Sequence, residues 1–256
     1  MGTSLLSPFD ISGYRVLVTG ASSGIGRETA LFLSALGVRL CLNGRDEARL
    51  QETLRSLEGE GHVTARFDLR EVDAVPAWMK SITSPGGGFD GLVHCAGING
   101  IRPLRMCSLA NVQEMLHMNV ASCFGIARGF RQRTVHTPGA SLVFMSSVYA
   151  MVGESGLSAY SASKGAVNSL VRSLAHELVQ DGIRVNAVAA GYVETAMTQK
   201  TSGMLTEEQR AAMEKQYPLG FGRAIDVSAA ITFLLSPAAR WITGTALTVD
   251  GGYTAR

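Results

Sequence analysis

The stretch Arg15-Val-Leu-Val-Thr-Gly-Ala-Ser-Ser-Gly-Ile-Gly26 decides the fold. Its first five residues are a short apolar run, a glycine cluster follows at once, and apolar residues then recur at Leu31, Leu33 and Leu36. A run of that length reads as a buried strand, and the later recurrence reads as a helix with one apolar face. Strand, glycine turn and helix in that order make the unit that cradles a dinucleotide pyrophosphate. Gly20 permits the tight turn, Gly24 lets backbone amides approach the anion, and Gly26 lets the helix pack closely, while the helix N-terminus adds positive potential. The spacing is G-x-x-x-G-x-G in place of the commoner G-x-G-x-x-G.

Outward from this unit, a second strand from Val38 to Leu42 ends at Asn43-Gly44-Arg45, where a dinucleotide fold selects its ribose. A carboxylate there suits the 2′-hydroxyl of NAD, whereas Arg suits the 2′-phosphate of NADP. Gly44-Arg45 therefore favours NADP(H). Asp46 leaves NAD(H) open, its other reading being the N-cap of a helix from Glu47 to Leu57. A strand from Val63 to Phe67 carries Asp68-Leu69 at its end, with Asp68 placed to receive an adenine amino group or else to start a turn. After a helix from Val75 to Ile82, a strand from Gly91 to Cys95 delivers Ala96-Gly97, small residues against which a cofactor can lie.

The pattern continues with one long helix from Leu109 to Phe130, a strand from Ser141 to Met145, a helix from Ala159 to Leu178, a strand from Ile183 to Ala189, a helix from Asp226 to Leu235 and a strand from Ala246 to Val249. Residues 196–217 mix Met, Thr, Gly and charge without clean periodicity and read as a mobile substrate lid. Such alternation predicts one α/β domain over residues 1–256, a doubly wound Rossmann fold with a parallel sheet of about seven strands and helices on both faces.

Chemistry concentrates between Ser146 and Lys164. Tyr160 and Lys164 are four apart, so on a helix they share one face on its first turn. A phenol is a poor acid or base at neutral pH, and an ammonium one turn away favours the phenolate. Ser147 follows the strand from Ser141, at the carboxyl end where open α/β sheets bind ligands. Asn119, a polar residue within a good helix former, is either a solvated helix residue or the holder of an ordered water for a proton relay.

From about Ile11 to Tyr253 the chain resembles the classical short-chain dehydrogenase/reductase family. TGASSGIG, Ala96-Gly97, Asn119, and Ser147 with Tyr160 and Lys164 thirteen and seventeen residues further on, occur in the family's order. The resemblance implies NADPH-dependent reduction of a carbonyl, most similar to that of the 3-oxoacyl thioester reductases. It implies Tyr160 as proton donor or acceptor, with Ser147 orienting the carbonyl. Lys164 would assist the phenol and bind the nicotinamide ribose, Asn119 would position a relay water, and Thr195 would bind the carboxamide. Cofactor contacts carry over to Gly20, Ser22, Ser23, Gly24, Ile25 and Gly26, then to Arg45, Asp68, Leu69, Ala96 and Gly97, and finally to Tyr160, Lys164, Val193 and Thr195. A homotetramer is also implied. Two alternatives stand beside this reading: an NAD-linked dehydrogenase of a polyol, sugar or hydroxy acid, and a catalytically silent NADP-binding sensor or scaffold. The chain departs from the family's Asn-Asn-Ala-Gly at His94-Cys95, from its Pro-Gly at Ala190-Gly191, and at Ser23, where many NADP enzymes carry Lys or Arg.

Composition sets outer bounds. A net charge of +2 with scattered basic residues, apart from Arg128, Arg131 and Arg133, leaves no electrostatic footprint for nucleic acid. The four cysteines, Cys41, Cys95, Cys107 and Cys123, form no CxxC and read as small buried hydrophobes in a reducing cytosol. No metal set is expected. The first residues lack the marks of a signal peptide, Leu6 stands where myristoylation wants Ser or Thr, and no apolar run reaches membrane-spanning length. A soluble cytoplasmic enzyme with a small-molecule substrate and no membrane partner is expected.

Overall fold

The computed structural model describes residues 7–83, 87–195, 198 and 206–255. Among these, β1 (Arg15–Thr19), β2 (Arg39–Asn43), β3 (Val63–Thr64), β4 (Phe89–His94), β5 (His136–Ser147) and β6 (Arg184–Ala190) precede a two-stranded pair, β7 (Val193–Glu194) with β8 (Gly222–Arg223), and β9 (Ala246–Val249). The main sheet has seven strands in the order β3-β2-β1-β4-β5-β6-β9, every neighbour parallel. The chain moves outward from β1 to β3, then returns to β4 on the other side of β1. The crevice opened by that reversal, at the carboxyl ends of β1 and β4, is the binding place of such sheets.

The α-helices among the described residues are α1 (Gly24–Ala35), α2 (Glu47–Arg55), α3 (Val75–Thr83), α4 (Leu109–Leu116), α5 (Ser122–Phe130), α6 (Ser158–Leu178), α7 (Glu207–Glu214) and α8 (Ala224–Leu235). Side chains alternate along each strand, so Leu17, Leu142 and Phe144 enter one core with Met79, Ile126 and Val171 from α3, α5 and α6. Val16, Val18 and Val143 enter the opposite core with Leu33, Leu50 and Ile231 from α1, α2 and α8. Burial on both faces is why the strands read as near-continuous apolar runs.

Three expectations are corrected. The helix from Leu109 to Phe130 is broken: a π-helical turn, His117–Ala121, separates α4 from α5, with the Ser122 amide reaching back to the His117 carbonyl. Periodicity of apolar residues is blind to one inserted residue. The third strand stops at Thr64, although the backbone amides of Ala65 and Phe67 still reach the carbonyls of Leu42 and Gly44. Within the expected lid, Thr206 and Gln209 form a reciprocal cap that starts α7, a helix with no buried residue, which is why no apolar period marks it. The rest of that expectation, residues 196, 197 and 199–205, lies outside the described residues. No described helix is long and apolar enough to cross a membrane.

Candidate active site

The glycine turn is built for close approach. Gly20 has φ +66°, and a Cβ there would stand 2.8 Å from the Ala96 amide nitrogen; a Cβ on Gly26 would stand 2.5 Å from the Gly20 carbonyl oxygen. Both clashes are with backbone that cannot yield, so the turn, α1 and the Ala96-Gly97 loop interlock only without side chains. Ser23 caps α1 by backbone geometry alone, its hydroxyl making no capping bond, so the first amides of α1 keep their donors for an anion. Ile25 packs partly into the core beside α8. At the far side, a Cβ on Gly24 would lie 3.7 Å from the Thr195 side chain, which places β7, with buried Val193, against the turn. The Thr195 amide is held by the Thr198 hydroxyl at 2.8 Å.

At the ribose end, Ser22 lies beside Gly44, and exposed Arg45 lines an open cavity of about 330 Å³ together with Arg66, Phe67, Asp68 and Glu71. The Arg66 Nε donates to the Arg45 carbonyl at 3.0 Å, so a second guanidinium stands at this mouth. Sequence reading passed over Arg66 because it sits inside an expected strand. Asp46 is occupied as the α2 cap, accepting from the Arg49 amide at 3.1 Å. The Asp68 carboxylate is paired with the Arg70 guanidinium, which holds it below the usual carboxylate range. Leu69 beside it is buried.

The residues expected to carry the chemistry lie around the end of β5. Ser147 is buried and its Oγ accepts from the Tyr149 amide at 3.3 Å. Lys164 is 6% exposed, and its Nζ donates to the Met145 carbonyl at 2.8 Å, fixing the ammonium two residues short of Ser147. The same Nζ stands 5.7 Å from the Tyr160 ring centroid, and Tyr149 meets that ring edge-on at 6.5 Å. A Cβ on Gly97 would lie 3.1 Å from the Asn119 Oδ1 and 3.9 Å from the Lys164 Nζ. Asn119 and Lys164 thus both approach Gly97, with Tyr160 one turn before Lys164 on α6 and Ser147 at the end of β5.

Asn119 sits in the π-helical turn. Its Oδ1 accepts from the Ile98 amide at 2.8 Å, while its Nδ2 donates to the Ile98 carbonyl at 2.9 Å and to the Ser163 hydroxyl at 3.1 Å. Ser163 in turn donates to the Tyr160 carbonyl at 2.7 Å. The Asn119 side chain therefore clamps the β4 loop to the Tyr160 helix. Ser163 was missed in the sequence, since a serine one residue before Lys164 carries no signal of its own.

The departures have structural answers. His94 is 3% exposed and takes up strand bracing, its Nδ1 on the Thr19 hydroxyl at 2.8 Å and its Nε2 on the Ser122 hydroxyl at 3.1 Å. Burial, with the Lys164 ammonium second, pushes its imidazolium pKa down to about 3, so the ring is neutral. Burial likewise pushes the Cys95 and Cys123 thiols up to about 12. Ala190 ends β6, paired with Ser147 on one side and Val249 on the other, so the ladder supplies the rigidity that a proline would. Among the described residues no group of three His, Cys, Asp or Glu side chains could hold a metal ion.

The family whose description is enoyl-(acyl carrier protein) reductase matches residues 20–254. The chain is 36% identical over 251 residues to a tropinone reductase homolog of Arabidopsis thaliana, covering 96% of this chain and 92% of that one. It is 32% identical over 244 residues to a 3-oxoacyl-[acyl-carrier-protein] reductase of Vibrio cholerae, covering 95% and 98%. Among solved structures, a gluconate 5-dehydrogenase from Burkholderia cenocepacia in complex with NADP and tartrate superposes with a TM-score of 0.91 at 28% identity, covering 99% of this chain and all of that one.

Proposed function

Because the chain belongs to the classical short-chain dehydrogenase/reductase family, an oxidoreductase family acting on CH–OH groups, we propose that it reduces a 3-oxoacyl thioester or related ketone to a secondary alcohol, using NADPH. The observation that carries this reading is Lys164 anchored on the Met145 carbonyl beneath the Tyr160 ring, at the strand end that bears Ser147. A silent NADP-binding scaffold has no need of that arrangement. The residues fit a dinucleotide, since the Ser23 hydroxyl makes no capping bond and the first amides of α1 keep their donors for a pyrophosphate. Bound there, the reduced nicotinamide supplies the hydride. Tyr160 gives the proton to the carbonyl oxygen, Ser147 holds that oxygen, and Lys164 steadies the phenolate left behind. Asn119 keeps the Ala96-Gly97 loop in register with α6, and Thr195 receives the carboxamide.

A second reading, oxidation of a sugar acid or other hydroxy acid, is favoured by one observation. A cavity of about 220 Å³ between the β4 loop, α4 and the start of α6 is lined by Arg102, whose guanidinium suits a carboxylate, and by Asn99, Asn111 and Glu114, which suit hydroxyl groups. The two readings are separated by following reduced cofactor at its absorbance band with 3-oxoacyl thioesters and simple ketones in one panel, and sugar acids with oxidised cofactor in another. Turnover confined to the second panel would displace the first reading.

NADP preference is assigned to Arg45, with Arg66 beside it. Arg45→Ala is expected to weaken NADPH binding by about 1.5 to 3 kcal/mol, the range for a lost hydrogen bond to a charged group, and to leave NADH binding nearly unchanged. Titration of both cofactors by fluorescence checks this, and equal affinity of the parent protein for the two would remove the assignment.

A homotetramer is proposed from the exposed apolar side chains Leu109, Leu116 and Phe124 along α4, the π-helical turn and α5. Light scattering at micromolar concentration is expected to give the mass of four 27.1 kDa chains. A monomer mass would refute it.

A further inference from the structure

The bonds around His94 have one consistent direction. The Ser122 hydroxyl donates its one proton to the Met118 carbonyl at 2.6 Å, inside the π-helical turn and next to Asn119, so toward the His94 Nε2 its oxygen can only accept. The ring must then carry its proton on Nε2, which donates to the Ser122 Oγ at 3.1 Å. The Nδ1 of the neutral ring then accepts from the Thr19 hydroxyl at 2.8 Å, and the Thr19 oxygen accepts in turn from the Ala96 amide at 3.3 Å. Each donor is used once. The relay runs from the loop that lies under the cofactor to the turn that presents Asn119, and only a neutral ring with its proton on Nε2 completes it.

We propose that His94 is a positioning residue for the hydride-transfer site, setting the Ala96-Gly97 loop through Thr19 and the Asn119 turn through Ser122. The two arms are separable in function. The Thr19 arm governs where the cofactor lies, and the Ser122 arm governs where Asn119 holds Ile98 and Ser163. Phe144 meets the ring edge-on from β5 at 5.8 Å and packs against it.

Two substitutions cut one arm each. An asparagine carries its polar atoms at the reach of Nδ1, and a glutamine carries them at the reach of Nε2. His94→Asn is expected to keep NADPH affinity within about twofold and to lower kcat about three- to tenfold, the scale of one lost hydrogen bond. Amides 117–123 should exchange with solvent deuterium correspondingly faster. His94→Gln is expected to reverse the pattern, with NADPH affinity about three- to tenfold weaker and both kcat and exchange near the parent values. Ser122→Ala should reproduce the Asn result without touching the ring, and it covers the case in which a His94 variant does not fold. NADPH affinity and hydrogen exchange are read without turnover, so a wrong substrate assignment would appear as an inactive parent protein while the separation of the arms is still measured. The proposal is overturned if the Asn and Gln variants lose the same property, or if all three variants only melt earlier and otherwise match the parent.

Discussion

Tyr160→Phe is expected to bind NADPH as the parent does and to turn over ketone at least about 10²-fold more slowly, the typical cost of losing a general acid. The change removes one oxygen and keeps the ring. What the ring does structurally survives it: the edge-on contact with Tyr149 at 6.5 Å and the Lys164 ammonium 5.7 Å from its centroid. What disappears is the phenol proton on the ring that the Lys164 ammonium approaches. A hundredfold loss corresponds to about 2.7 kcal/mol of transition-state stabilisation, well above what a lost packing contact of one oxygen would give. Lys164→Met should differ by lowering cofactor affinity as well, because it also gives up the bond to the Met145 carbonyl that fixes the site's geometry. Steady-state kinetics beside a fluorescence titration separates the two variants. A Tyr160→Phe protein with near-parent kcat would move the chemistry to another residue.

The layered sheet was legible because its causes are local. Strands buried on both faces must be apolar throughout, and the glycines at 20 and 26 are dictated by backbone clashes that no side chain can relieve. Tyr160 and Lys164 were legible for a similar reason, as four residues on a helix bring groups together without help from the rest of the fold. What stayed hidden was long-range or subtractive. The π-helical turn inserts one residue without altering the apolar period, so Asn119 could be singled out but its clamp on Ile98 and Ser163 could not. Arg66 reaches the ribose end only because the chain after β3 runs beside Gly44. The departure at His94 was visible as a missing asparagine. That an imidazole spans Thr19 and Ser122, one from β1 and one from α5, depends on pairing between β1 and β4 that sequence order does not display.

That imidazole should also make the protein acid-sensitive. Burial lowers the folded pKa of His94 from 6.5 to about 3, with Lys164 on α6 acting in the same direction. Its other neighbours are uncharged: Thr19 on β1, Ser122 on α5 and Phe144 on β5. The unfolded chain therefore takes up a proton near pH 6.5 that the folded chain refuses until near pH 3. More protons on the unfolded state mean that stability rises with pH throughout that window. It is fully present above pH 6.5, falls as pH drops below, and levels out below about pH 3. The steepest slope that one such group can give is about 1.4 kcal/mol per pH unit, so a fall of a few kcal/mol between pH 6.5 and pH 4 is expected. The carboxylates of Asp68, paired with Arg70, and Asp250, hydrogen-bonded by Thr254, are held below their ordinary value of 3.8 and add their own loss as pH falls toward and below it. Urea unfolding at several pH values, compared between the parent and His94→Asn, isolates the imidazole, because the amide does not titrate. The parent curve should fall more steeply than that of the variant between pH 6.5 and pH 4, and the two should run parallel above it. Parallel curves throughout would mean that the buried ring is protonated in the folded protein, which would also break the single direction of the bonds from Ala96 to Met118.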